Sequence, residues 1–317
     1  MLVKWLPWPW AKPFIGLLSL VFVNSNILVC GIAIHAIGLF GWLTGKSSAW
    51  SRPKVDIWYR GWVRACEWWF HRMLGVTWQL DESFKPKADQ WHLIIANHQT
   101  WVDAFVLLAQ VQGRVPMPRI FMKDTLGWLP LVGSATKIMG FPHVKRYSKA
   151  KLARHPELMG KDLATTQKSC ESLMSSPSAV MSFVEGTRFT LAKHKAQQSP
   201  YEKLLRPKAG GIFMVLQAMP GKFTRITDVN IVYGDKVVSY WDLLCGRVGP
   251  VQVRVRHVPL PVRFQGALSE QDKSEFFEWF NGYWQGKDDS LVADEADCSI
   301  LEMNRNAPIN GENGLQS

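Results

Sequence analysis

The chain has 317 residues and a formal charge of +11, from 37 Lys and Arg against 26 Asp and Glu. That length holds one large domain or two small ones with a sizeable core, so no disulfide staples are needed. The five cysteines, Cys30, Cys66, Cys170, Cys245 and Cys298, are scattered without CxxC spacing, which excludes a disulfide framework and argues against a zinc site.

The charge is unevenly spread. Residues 1–80 and the middle of the chain are basic, whereas residues 268–317 are acidic. A basic body implies an anionic partner: nucleic acid, a phosphorylated substrate or a membrane surface. Sixteen tryptophans, concentrated in the first third, favour the membrane, because indole rings prefer the bilayer interface. Nucleic acid would explain the charge but not the hydrophobic N-terminus.

In chain order, Met1 to Pro13 alternates Trp and Pro and reads as an interfacial anchor, its prolines opposing a regular helix. Phe14 to Leu43 is apolar and long enough for one tilted span; the Asn24-Ser25-Asn26 interruption also allows two half-length helices within one leaflet. No small-residue cleavage site is evident, so a removed signal peptide is not expected. The basic residues that follow, Lys46 to Arg72, place residues 44 onward in the cytoplasm by the positive-inside tendency. Val55 to Leu74 reads as an amphipathic helix in the headgroup region, or alternatively as an aromatic core helix. Strands are expected near 91–96, 119–122, 137–141, 179–184, 226–233 and 251–257, and helices at 102–111, 161–175, 208–219 and 271–285. This alternation predicts an α/β fold with a mostly parallel sheet and flanking helices, preceded by an N-terminal membrane helix or helical hairpin. The polar stretches 147–162 and 190–208 read as surface loops. The expected organisation is a membrane-anchoring region over 1–76, an α/β domain over 77–286 and an acidic, disordered tail over 287–317.

Three stretches carry chemistry. The apolar run Leu93 to Ala96 stops at Asn97-His98, and Asp103 follows in the first turn of the next expected helix. Asp103 can fold back on the His98 imidazole, fixing one tautomer and leaving the other nitrogen as a base. A second run, Ala179 to Val184, ends at Glu185-Gly186-Thr187-Arg188. Gly186 permits a tight turn, Thr187 and Arg188 suit a phosphate, and Glu185 can hold the Arg188 guanidinium. The third stretch, Phe121 to Arg146, sets Lys123 and Lys145-Arg146 around Trp128, Leu129, Leu131, Val132 and Met139. The apolar residues can wall a greasy channel, with the flanking cations meeting an anionic headgroup.

Together these stretches resemble the signature blocks of the glycerolipid acyltransferases, the lysophosphatidic acid acyltransferase superfamily. His98-x4-Asp103 resembles the first block. Lys123, Leu126, Pro130, Gly133, Gly140 and Arg146 resemble the second in order and spacing. Phe183 to Arg188 resembles the third, and Leu205 to Gly211 with Ile226 to Tyr233 resembles the fourth. Lys145-Arg146-Tyr147-Ser148 and Arg154-His155-Pro156-Glu157 are most similar to a bacterial inner-membrane branch related to lysocardiolipin acyltransferases. The chain departs from many members at Thr125, where they carry Glu, and over Asp228 to Val232, where they carry a proline.

The resemblance implies acyl transfer from a thioester, acyl-CoA or acyl-carrier protein, to the free hydroxyl of a lysophospholipid, most simply 1-acyl-glycerol-3-phosphate. His98 is then the base and Asp103 its partner. Glu185, Gly186, Thr187, Arg188, Lys123 and Arg146 form the phosphate site. No metal or further cofactor is implied, nucleic acid is not a partner, and the location is the cytoplasmic face of a bacterial inner membrane. Two alternatives remain: remodelling of another lysophospholipid, and a non-catalytic membrane-surface protein that keeps only the fold.

Overall fold

The computed structural model describes residues 2–6, 8–123, 127–129, 131–144, 154, 161–234 and 238–306. After a short helical turn, Leu2–Trp5, the first long element is helix α1, Lys12–Leu43. Pro13 is accommodated because it falls in the first turn, where its missing N–H has no intrahelical acceptor to lose. The Asn24-Ser25-Asn26 interruption does not break the helix into halves. Asn24 donates to its own Leu20 carbonyl at 2.7 Å, and Asn26 donates to the Trp62 carbonyl of the next helix at 3.1 Å. The hairpin is instead made by α1 and α2, Ser48–Trp68, joined through a turn at Gly45, whose φ of 65° suits glycine.

Helix α2 buries Val55, Tyr59, Val63 and Cys66, spaced three or four apart, and the following wider turn, Trp69–Met73, buries Trp69 and Phe70. This 55–74 segment is therefore a core helix on one face, with Ile57, Trp58 and Trp68 exposed elsewhere.

The sheet has six strands in the order β1-β8-β7-β2-β6-β3. They are β1 Trp78–Gln79, β2 His92–Ala96, β3 Pro118–Ile120, β6 Ala179–Phe183, β7 Arg225–Val232 and β8 Val251–Pro259. Strands β7, β2, β6 and β3 run parallel, and β8 is antiparallel to β7. A separate parallel pair joins β4, Met122–Lys123, to β5, His143–Val144. Central strand β2 is wholly buried because both its faces are covered, as a parallel strand requires. Ile94 and Ala96 face one core with α1, α2 and α3, Val102–Val111. Leu93 and Ile95 face the other, with α5, Lys161–Met174, α7, Gly210–Ala218, and the C-terminal helix α9, Lys273–Asn306. Among the described residues there are three further short α-helices: α4, Val132–Ile138, α6, Leu191–Ala196, and α8, Tyr240–Leu244.

Three expectations need correction. The expected strand at 137–141 is largely the end of α4 and its exit turn. Phe141 packs on Tyr59 of α2, and Met139 joins the same apolar core as α1 and α2. Within the expected loop 190–208, residues 191–196 form α6. The expected tail does not begin at 287: α9 runs through Asn306, and Lys287, Asp288 and Leu291 are buried. The expected loop 147–162 lies almost entirely outside the described residues.

Gly133 lies under the backbone of Gly127, and an added Cβ would overlap that residue's carbonyl oxygen. Backbone cannot swing aside as a side chain can, so Gly133→Ala should destabilise the fold by about 1–3 kcal/mol, as overpacking does. A lowered melting temperature of the detergent-solubilised protein reads this; an unchanged one would show that the 127–133 turn is not constrained as described.

Candidate functional site

The parallel strands β2, β6 and β7 end at the same edge of the sheet, and their following loops meet there. His98 leaves the end of β2, and Asp103 sits in the first turn of α3. The His98 Nδ1 is 2.8 Å from Asp103 Oδ2. The same oxygen accepts the backbone N–H groups of Gln99 at 2.6 Å and Thr100 at 2.9 Å. Its partner Oδ1 accepts the Tyr233 hydroxyl at 2.6 Å. A fully buried carboxylate is thus surrounded by four donors, which is how a buried charge is kept. Burial and the adjacent Asp103 charge push the Tyr233 phenol well above its ordinary range, so it remains a proton donor.

With Nδ1–H directed at Asp103, His98 Nε2 is the unprotonated nitrogen of the neutral ring. It has no hydrogen-bond partner among the described residues. The imidazole stacks on Phe183 with centroids 4.2 Å apart and is 16% exposed. Asn97 fixes the strand end by bridging the Ile231 backbone, donating to its carbonyl and accepting from its N–H, both at 2.9 Å.

Glu185 does not hold Arg188. It is fully buried, and its two oxygens accept the backbone N–H groups of His98 at 2.8 Å and Leu205 at 3.1 Å. The expected phosphate ligand is therefore a brace that sets the His98 backbone against the 199–210 loop. Gly186 follows in the left-handed region, φ 66°, and a Cβ there would lie 2.8 Å from the Lys208 side chain. Thr187 is half-buried, and Arg188 is exposed with its guanidinium 5.1 Å from the Trp101 ring centre, a cation–π arrangement. Lys193, on α6, donates to the Thr187 hydroxyl at 2.8 Å and the Arg188 carbonyl at 2.9 Å. It adds a second cation to this corner. Lys123 lies on β4, but its side chain and all of Arg146 fall outside the described residues.

An apolar cavity of about 320 Å³ lies between α1 and the N-terminal end of α3, the helix that carries Asp103. Trp101 and Ala104, which flank Asp103 in sequence, form one wall. Ile27, Gly31 and Ile34 of α1 form another. Leu131, Val132 and Met139 line it as the expected greasy channel requires, whereas Trp128 and Leu129 stand exposed. Trp101 thus borders the cavity and carries Arg188.

Tyr233 closes the stretch that resembles the fourth block, but nothing local assigns its hydroxyl to Asp103; Lys193 carries no motif signal. The substitutions over 228–232 also gain a structural reading. Asp228 and Asn230 accept hydrogen bonds from Lys287 of α9 at 2.5 and 2.8 Å, so they match the C-terminal helix rather than facing the dyad.

A family model described as Acyltransferase matches residues 79–234. The chain is similar to 1-acyl-sn-glycerol-3-phosphate acyltransferase 2 of Brassica napus, at 30% identity over 261 residues, covering 77% of this chain and 62% of the relative. It is also similar to 1-acyl-sn-glycerol-3-phosphate acyltransferase epsilon of Mus musculus, at 28% identity over 161 residues, covering 47% of this chain and 42% of that one. The chain thus spans less than two thirds of the length of these relatives. Among solved structures, it resembles the 1-acyl-sn-glycerophosphate (LPA) acyltransferase PlsC from Thermotoga maritima. That match has 16% identity and a TM-score of 0.44, covering 86% of this chain and 98% of that one.

Burial pushes the Glu185 carboxyl up to about 8 from 4.5. A carboxyl whose folded-state pKa is raised favours the protonated folded form, so its stabilising contribution is complete below about 4.5 and is lost as pH rises through about 8. Relative to Glu185→Gln, the wild-type protein should therefore lose melting temperature across that window. A constant difference would show that the buried carboxyl does not titrate there.

Proposed function

We propose that this chain, which a family model described as Acyltransferase matches over residues 79–234, is a glycerolipid acyltransferase that moves a fatty acyl group from a thioester to the free hydroxyl of a lysophospholipid, with 1-acyl-glycerol-3-phosphate as the acceptor. The observation that carries this reading is the His98–Asp103 pair, in which Nε2 has no partner among the described residues, together with Trp101, which lines an apolar cavity and stacks on Arg188.

In this mechanism His98 Nε2 takes the proton of the acceptor hydroxyl as its oxygen attacks the thioester carbonyl carbon. The carbon–sulfur bond then breaks, and the leaving thiolate takes the proton from the imidazolium. Asp103 holds the ring in the required tautomer and balances the transient positive charge, as in a hydrolase triad with the substrate's hydroxyl in place of serine. Arg188, with Thr187 and Lys193 behind it, binds the acceptor phosphate and so fixes the neighbouring hydroxyl near His98. The cavity takes a fatty chain. The donor is a CoA or carrier-protein thioester.

The enzyme works at a membrane, held by α1. This helix is long and apolar enough to cross a bilayer. It is nevertheless gripped along its length by the α/β body: Gly16 against Trp241 and Cys245, Gly31 against Leu131, and Gly38 against Ile138. Gly16 and Gly38 are about 33 Å apart along the axis at 1.5 Å per residue. A globular body lying beside so much of the helix favours an arrangement along one leaflet over a crossing. The outward face, including Phe14, Leu17, Val21, Leu28, Ile32 and Leu39, is exposed and apolar. The basic residues after α1 favour the cytoplasmic leaflet, which in a bacterium is that of the inner membrane.

The test is transfer by the purified protein from one long-chain acyl-CoA to a panel of lysophospholipids. His98→Ala should lower turnover by about 10²–10⁴-fold with membrane association intact; near-normal turnover would sink the mechanism. Tyr233→Phe removes one charged hydrogen bond to Asp103, a loss of about 1.5–3 kcal/mol, and should lower kcat by roughly tenfold or more with acceptor KM unchanged. Arg188→Lys should raise acceptor KM and leave donor KM alone, because the guanidinium fork is lost; a change in donor KM alone would move the phosphate site elsewhere.

A further inference from the structure

We propose that the C-terminal helix α9, outside the matched segment 79–234, is a positioning element of the catalytic centre, with Lys287 and Asp288 as its positioning residues. The proposal rests on the acyltransferase reading above.

The two residues are adjacent, both buried, and reach different parts of the site. Asp288 accepts the backbone N–H of Glu202 at 2.6 Å and that of Lys203 at 2.8 Å. One turn earlier, Trp284 Nε1 donates to the Leu205 carbonyl at 3.0 Å. The 202–205 loop is thus fixed to α9 at three backbone groups. The Leu205 N–H in turn donates to Glu185, whose other oxygen holds the N–H of His98. The path from helix to catalytic residue runs Trp284, Leu205, Glu185, His98, without a gap.

Lys287 works on the other side. Its ammonium donates to Asp228 Oδ1, Asn230 Oδ1 and the Val229 carbonyl at 2.5, 2.8 and 2.9 Å. Tyr283 adds a bond to Asp228 at 3.0 Å, and Asn230 donates back to Asp294 of α9 at 2.7 Å. All these contacts fall on β7. The same strand holds Asn97 through Ile231, and the residue after it, Tyr233, holds Asp103. So α9 touches both supports of the dyad: the 202–205 loop, which meets Glu185 behind His98, and the strand that leads to the Asp103 partner.

Stability alone is a weak reason to bury these charges. Buried ion pairs can often be replaced by well-packed apolar groups without loss, and their best-attested use is to fix register. Apolar residues of α9, Phe276, Phe280, Trp284 and Leu291, already seal it to the sheet. The polar contacts set where along β7 the helix stops.

The experiment compares full-length wild type with Asp288→Ala, Asp288→Glu, Lys287→Met and the double variant Lys287→Met/Asp228→Leu. Acyl transfer, melting temperature and amide hydrogen exchange are measured for each. Asp288→Ala should lower kcat by about 10- to 100-fold, the scale of a small misplacement, with acceptor KM within about twofold, and Asp288→Glu should recover part of the loss. The amides of His98 and Leu205 should exchange faster in Asp288→Ala, while peptides of α1 keep their protection. Lys287→Met leaves the buried Asp228 with only Arg256, 3.3 Å away, as its cation and can fail to fold; the double variant removes both buried charges and should recover most of the melting temperature lost in Lys287→Met, with kcat still reduced. Wild-type kcat and exchange in Asp288→Ala, or full recovery of kcat in the double variant, would overturn the proposal. If wild type transfers no acyl group while Asp288→Ala still deprotects His98 and Leu205, the acyltransferase reading fails and the brace stands.

Discussion

The site depends on one buried carboxylate being given enough donors to remain charged. Asp103 has no solvent to stabilise it, and the four hydrogen bonds it accepts come from three structural sources: its own loop through Gln99 and Thr100, the imidazole of His98, and the end of the far strand through Tyr233. Losing any of these leaves a charge in a medium that solvates it poorly. That cost ties the β2 corner, the α3 N-terminus and the end of β7 into one unit. Glu185, also buried, adds a second tie by accepting the backbone amides of His98 and Leu205. The dyad is held by backbone groups more than by side chains, and backbone groups have little freedom to drift.

The part of the site that can be read from the sequence is the part that is local. His98 and Asp103 are five residues apart, at the end of an apolar run, and the geometry follows from a strand meeting a helix. Glu185 carries the same kind of signal, an acid beside an Arg after an apolar run, but its partners are the amides of residues 98 and 205. Nothing near 185 in sequence shows that its carboxylate turns inward. Tyr233 is likewise 130 residues from the carboxylate it serves.

The fold shows the same division. Strands β2, β6, β7 and β8 have strong runs of β-branched or apolar residues and stand close to the expected positions. The stretch 137–141 misled because an apolar run of that length suits a strand or a helix end equally, and the choice was made by packing against α1 and α2. The acidic composition from 287 onward suggested disorder because composition counts charges without knowing their partners. Lys287 and Asp288 lose that penalty to acceptors and donors on residues 202–230, which no local window contains.

Helix α1 has two apolar faces that do different work. Ile27, Gly31 and Ile34 line the cavity, while Leu28, Val29 and Ile32, interleaved with them, face outward. The wall between chamber and exterior is therefore one helix thick, about 10 Å. Moving a fatty chain from water into such a chamber gains about 0.8 kcal/mol per methylene, and withdrawing it to water costs the same. Under the proposed reading, with lipid against the outer face, a fatty chain passing around the edge of α1 would change one hydrocarbon neighbour for another, so the sum over its methylenes would be close to zero and the chamber would fill and empty without a deep trap on either side.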